Sequence, residues 1–142
     1  MSTAASDASA AREVTRLAGA LGAEVRGIDL ARVGDDDVAA LGALLVEHGV
    51  LFFPDQHLSV DEHVALGRRF GPLEGHPHLA NPETQHPELF ELVASQGGVA
   101  DEWHTDLTFR EDPALLSILK MVKCPPFGGD TMWSSLCAAY DG

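Results

Sequence analysis

The chain has 142 residues, and 9 basic against 22 acidic residues give it a formal net charge of −13. That length suits one modest domain with its own core. The charge excludes nucleic acid as a partner, because a polyanion needs a basic footprint; a small anionic substrate, which needs only a few local donors, stays open.

Residues 1–12 are rich in Ser and Ala and read as a disordered tail ahead of a domain over 13–142. The tail has neither a basic nor an apolar signal-peptide region, and no apolar run is long enough to cross a bilayer. Leu21–Leu30 alternates loosely and predicts a short strand and turn. Asp35-Asp36-Asp37 suits the first turn of a helix, where the macrodipole favours acid. Val38, Leu41, Leu44 and Leu45 then share one face, and Gly49 ends the helix. Val50–Phe53 predicts a compact buried strand closed by Pro54-Asp55-Gln56.

Ser59-Val60-Asp61-Glu62 has the capping-box pattern and places a second helix at about Val60–Phe70, stopped by Gly71-Pro72. Glu74–Pro87, rich in His, Pro and Asn, predicts a long ordered loop or lid, a kind of segment that often carries function. Leu89–Ala94, the segment around His104, and Ala114–Val122 read as strands, although the last is apolar enough for a helix. Pro125-Pro126-Phe127-Gly128-Gly129 is a turn into Asp130-Thr131-Met132-Trp133. Phe109, Phe127 and Trp133 are assigned to the core. Helices followed by short strands with Gly/Pro turns predict an α+β fold with a mainly β core, a sandwich or barrel. Cys124 and Cys137 lack zinc or redox spacing, so reduced thiols in a cytoplasmic protein are expected.

The segment that carries chemistry is Trp103-His104-Thr105-Asp106-Leu107-Thr108-Phe109. On a strand, side chains two apart emerge on the same face, so His104 and Asp106 would stand side by side. An imidazole and a carboxylate so placed supply two of the three protein ligands of a non-haem ferrous site. A short motif of this kind is weak by itself, and a strand-edge His beside a solvated Asp explains it equally well. His76-Pro77-His78 and His86-Pro87-Glu88 are decoys, because proline is poorly tolerated in a paired strand. The β-forming context of His104 favours it over both.

Taken together, five blocks in order resemble the taurine dioxygenase family of iron- and 2-oxoglutarate-dependent oxygenases. They are Val50–Gln56, Phe70-Gly71-Pro72-Leu73, His76-Pro77, Trp103–Phe109 and Gly128–Trp133. The resemblance runs from about Gly22 to Tyr140. It implies a double-stranded β-helix (jelly roll) with flanking helices, truncated in this chain. It implies Fe(II) as cofactor, bound by His104 and Asp106, with 2-oxoglutarate as co-substrate. Thr131 matches the hydroxyl that helps hold a 2-oxoglutarate carboxylate, and His76 matches a substrate-binding His that faces the sulfonate. The reaction implied is hydroxylation of a small anionic organic substrate by O₂, yielding succinate and CO₂.

The chain also departs from the family pattern. Leu79 stands near an aromatic contact to taurine, and Ala100 replaces a polar residue ahead of the H-x-D. Both changes make the pocket more apolar, so another sulfonate, a sulfate ester or a different carboxylate is as good a candidate as taurine. The family places its second iron His and a 2-oxoglutarate-pairing Arg beyond Gly142. The expectation is therefore a fragment that binds iron weakly and turns over nothing alone. A non-catalytic binding module derived from half of the fold is the alternative reading, and a homo-oligomer is compatible with either. A zinc site drawing on His76, His78 and His104 lacks regular ligand spacing.

Overall fold

A computed structural model describes residues 12–75, 86–93 and 101–142, which fall into two units. Residues 12–58 and 125–142 make one; 59–75, 86–93 and 101–124 make the other.

The first unit is built on a three-stranded sheet in the order β1-β2-β3. Strands β1 (Glu13–Arg16) and β2 (Ala23–Arg26) pair antiparallel, with Val14 opposite Val25. Strand β3 (Leu51–Phe52) pairs parallel with β2, Ala23 opposite Leu51. Parallel neighbours need a crossover, and helix α1 (Asp35–His48) supplies it. A 3₁₀ turn over Leu30–Arg32 leads into that helix, its first free amide capped by Asp29, whose carboxylate accepts from Ala31 N–H at 3.0 Å.

Helix α1 begins and ends as its sequence dictates. Asp35, Asp36 and Asp37 fill its first turn, and Asp37 accepts from the Gly34 N–H at 2.8 Å. Gly49 closes it at a φ of 70°, in the left-handed region that glycine enters most readily, and donates its N–H to Leu45 O at 2.8 Å. The inward face carries Leu41, which is buried, as are Ala23, Val25 and Leu30, while Val46 faces solvent. Gln56 fastens the turn after β3: its Oε1 accepts from Leu30 N–H at 3.0 Å, and its Nε2 donates to Ile28 O at 3.0 Å. A half-buried amide that spends its donors and acceptor on backbone in this way fixes a loop without a helix or strand. At one edge, β1 is exposed along its whole length; Glu13, Thr15 and Arg16 give that edge charge and polarity that discourage further pairing. The Arg12 guanidinium is 2.6 Å from Asp37. Arg26, hydrogen-bonded to Glu24, has its guanidinium held above its usual pKa by that bond.

The same unit holds an apolar recess of about 200 Å³, lined by Leu17, Leu21, Val50, Phe52 and Trp133 among others. Trp133 meets Phe52 edge to face at 5.2 Å between ring centroids, the geometry that aromatic quadrupoles favour. A last helix, α3 (Leu136–Asp141), is capped by Ser135, whose hydroxyl accepts from Ala138 N–H at 3.1 Å.

The second unit is organised on helix α2 (Val60–Phe70). The Ser59 hydroxyl accepts from Glu62 N–H at 3.2 Å while the Glu62 carboxylate accepts from Ser59 N–H at 2.7 Å, the reciprocal capping box. Val64 and Leu66 are its buried side chains. Polar side chains tie the rest of the unit to this helix. Arg68 pairs with Glu88 at 3.1 Å, His86 with Asp61 at 2.9 Å, and His63 Nε2 donates to Ile118 O at 3.1 Å.

Several sequence expectations need correction. Among the described residues, 89–93, 103–109 and 114–122 join no ladder; they are extended or turning chain. Alternation tells which face a side chain would take, but a ladder also needs a partner strand, and these segments have none there. The described residues therefore form an α+β arrangement with a small mixed sheet. Phe109 and Phe127, assigned to the core, are 81% and 87% exposed, because the segments that carry them join no ladder among the described residues. Trp133, also assigned to the core, is exposed at 40%, although its ring meets Phe52. Cys124 and Cys137 are free and exposed.

Candidate metal centre

His104 and Asp106 belong to the second unit and sit on chain that runs extended and then turns. Leu107, at a φ of 51°, is the pivot, and its carbonyl accepts from Arg110 N–H at 3.1 Å. The hydroxyls of Thr105 and Thr108 hydrogen-bond across the turn. Arg110, at its far side, forms an ion pair with Glu74 beyond the end of α2. The turn is thus held from inside and from outside.

Within it, His104 Nε2 lies 3.4 Å from Asp106 Oδ1, and both side chains are more than half exposed. Each has a second contact on its far side. His104 Nδ1 is 2.8 Å from the carbonyl oxygen of Glu102. A carbonyl only accepts, so Nδ1 carries the proton, and in the neutral ring Nε2 presents a lone pair toward Asp106. Asp106 Oδ2 accepts from the Ser117 hydroxyl at 2.9 Å, which leaves Oδ1 as the oxygen turned to the ring.

Two electron-rich atoms facing each other at this distance repel unless a cation lies between them. A proton on Nε2 makes the pair an imidazolium and a carboxylate. A divalent metal satisfies both atoms at once. Bond lengths near 2.1 Å with ligands at right angles put neighbouring donor atoms about 3 Å apart, so the observed separation fits a shared ion. The far-side contacts also match what metal ligands require: the histidine's other nitrogen donates to a carbonyl, and the carboxylate's other oxygen accepts a hydrogen bond. Among the described residues no group of three or more His, Cys, Asp or Glu side chains comes together to hold a metal, so these two donors stand as a pair.

The remaining candidates fall elsewhere. Thr131 lies in the first unit, exposed, on extended chain that follows Gly128 and Gly129 at φ of 77° and 71°. Those two values explain the Gly-Gly turn, since a side chain at either position would be strained. His76 and His78, with Leu79 and Ala100, lie outside the described residues. Sequence reasoning missed Ser117 and the Glu102 carbonyl. Nothing in the spacing marks a serine eleven positions beyond Asp106, and a backbone carbonyl leaves no trace in residue identity.

Comparison with known proteins gives this geometry a context. Residues 13–142 match the family described as "Taurine catabolism dioxygenase TauD, TfdA family". An alpha-ketoglutarate-dependent sulfate ester dioxygenase of Pseudomonas putida is 39% identical over 131 residues, covering 90% of this chain and 43% of that protein. An alpha-ketoglutarate-dependent 2,4-dichlorophenoxyacetate dioxygenase of Cupriavidus pinatubonensis is 36% identical over 138 residues, covering 84% of this chain and 48% of that one. The crystal structure of a taurine dioxygenase from Burkholderia xenovorans superposes with a TM-score of 0.57 at 35% identity, covering 72% of this chain and 37% of that chain. The chain spans a little under half the length of the curated relatives it matches.

Proposed function

The chain belongs to the taurine catabolism dioxygenase TauD/TfdA family, and on that premise we propose that it serves an Fe(II)- and 2-oxoglutarate-dependent dioxygenase acting on a small anionic organic substrate. The observation that carries this reading is the His104–Asp106 pair, whose facing donor atoms are 3.4 Å apart and whose far sides are both hydrogen-bonded. His104 Nε2 and Asp106 Oδ1 would hold the iron. Iron, when bound, supplies activation of O₂ coupled to oxidative decarboxylation of 2-oxoglutarate to succinate and CO₂.

The chain's own residues orient and hold. The Glu102 carbonyl accepts from His104 Nδ1, which leaves Nε2 as the nitrogen that would face the ion. Asp106 offsets part of the ion's charge. With a third protein ligand such a site still keeps three coordination positions open, which is what a chelating co-substrate and O₂ require. Thr131 is assigned a hydroxyl contact to a 2-oxoglutarate carboxylate, and His76 a contact to the anionic group of the substrate. The jelly-roll core belongs to the same proposal.

The substrate class follows from what the relatives' names share. Sulfate ester, phenoxyacetate and taurine each join an anionic group to an organic body. In a chain of net charge −13, such an anion must be met by local donors rather than by the overall field.

Metal binding is the readout that tests this pair directly, ahead of turnover. Anaerobic addition of Fe(II) and 2-oxoglutarate should produce a visible charge-transfer band, and His104→Ala and Asp106→Ala should each abolish it. A band of equal strength in both variants would place the metal elsewhere and sink the proposal.

A further inference from the structure

Ser117 lies outside any helix or strand, and its hydroxyl is 2.9 Å from Asp106 Oδ2. We propose that Ser117 is a positioning residue that holds the Asp106 carboxylate to one-oxygen coordination. The inference rests on the metal-site reading above and goes beyond it, because it concerns how many coordination positions the carboxylate occupies.

The argument begins with what a carboxylate can do at a metal. It binds through one oxygen or chelates through two, and chelation uses a second coordination position. Three protein ligands, a chelating co-substrate and O₂ together fill the six positions of such a ferrous site, so the carboxylate cannot take a second one. Rotation about the last side-chain bond of Asp interconverts the two modes, and that torsion is broad, with no strong intrinsic preference. Something outside the side chain has to set it. Here the Ser117 hydroxyl occupies Oδ2, while Oδ1 faces His104 Nε2 at 3.4 Å. Chelation would require breaking this hydrogen bond to an ionised acceptor, a class stronger than neutral pairs.

The serine is itself held. Its neighbour Ile118 accepts from His63 Nε2 through its carbonyl at 3.1 Å, and His63 lies on α2. The segment that carries Ser117 is therefore fastened to the most regular element of its unit, whose start is fixed by the Ser59–Glu62 box. A hydroxyl on a tethered segment can orient a carboxylate; one on a free segment would follow it.

The test uses the whole chain and Mn(II) as the probe, with binding read by electron paramagnetic resonance of the free ion. Ser117→Ala should weaken Mn(II) at least tenfold, in the range that outer-sphere partners typically control. Ser117→Thr, which keeps the hydroxyl, should restore most of that loss. Infrared spectra of protein labelled with ¹³C-aspartate supply the second readout. The separation of the metal-bound carboxylate's asymmetric and symmetric stretches should narrow in Ser117→Ala, as for a chelating carboxylate, and stay wide in Ser117→Thr. A purely structural role predicts an unchanged separation and would overturn the inference, as would Mn(II) affinity in Ser117→Ala equal to that of the unaltered chain. If the unaltered chain takes up no Mn(II), the metal-site reading fails and takes this inference with it. Uptake lost in Asp106→Ala but untouched in Ser117→Ala leaves the site standing and removes the serine alone.

Discussion

The Nδ1 of His104 and the carbonyl oxygen of Glu102 are 2.8 Å apart, while the ring's other nitrogen is 3.4 Å from Asp106. The shorter contact is a hydrogen bond of ordinary length and the longer one lies outside that range. The proton therefore belongs on Nδ1. Two-dimensional ¹⁵N spectra of the neutral imidazole in the metal-free chain should show His104 as the Nδ1–H tautomer. An Nε2–H pattern would mean that the ring is turned and that its metal-binding nitrogen is already occupied.

The capping box on α2 gives a stability prediction. Ser59 and Glu62 satisfy two amides that the helix cannot satisfy itself. Ser59→Ala should cost about 1 kcal/mol, and Ser59→Asp should recover most of it, because Asp caps equally well and adds charge where the dipole favours it. Urea denaturation followed by circular dichroism measures both. Equal stability of Ser59→Ala and the unaltered chain would mean that the helix start frays in solution.

How far the sequence disclosed all this depends on whether a signal is local. Helix α2 was readable to its bounds because the cap, the apolar spacing and the Gly71-Pro72 stop all lie within the helix or beside it. Helix α1 was readable for the same reason. The strand expected around His104 was not formed, because alternation at Trp103–Phe109 says nothing about a partner, and Leu107 adopts a left-handed conformation that leucine rarely takes. The H-x-D pair nevertheless meets, since two residues apart on extended chain suffices for that. Strand β1 was not anticipated: Glu13–Arg16 is four exposed residues whose only reason for being a strand is Arg26, Val25, Glu24 and Ala23 opposite. Ser117 was beyond reach for a similar reason, being close to Asp106 in space alone.

Packing of α1 against the sheet predicts a contrast between two of its residues. Leu41 is 3% exposed and Val46 is 90% exposed. Leu41→Ala should destabilise by about 2 to 3 kcal/mol, the low end for a buried leucine, because a small core can partly collapse around the gap. Val46→Ala should change stability by less than about 0.5 kcal/mol, and in the stabilising direction, since Ala is the better helix former and no contact is lost. Thermal or urea unfolding of the two variants side by side decides the matter. Equal losses would mean that the helix presents a different face to the sheet.

Arg110 and Glu74 form the ion pair that fastens the turn after Asp106 to the chain leaving α2. Both side chains are about two-thirds covered, at 32% and 29% exposure, so solvent screens the pair less than it would a fully exposed one. A coupling energy of about 1 kcal/mol is expected from a double-mutant cycle with Arg110→Ala and Glu74→Ala, at the upper end of the range for surface pairs. The more informative measurement is metal affinity in the same four proteins. If the pair holds the H-x-D turn in its bound shape, each single variant should weaken Mn(II) severalfold, and the double variant should weaken it no further than the worse single one. Each change alone already frees the turn, so removing the second partner has nothing left to release. Additive losses would instead mean that the two residues act on the metal separately, through the field of their own charges, and that the turn keeps its shape without them. Raising the salt concentration separates the alternatives again, because a field effect fades within a Debye length while a geometric one persists in whatever fraction of the pair survives.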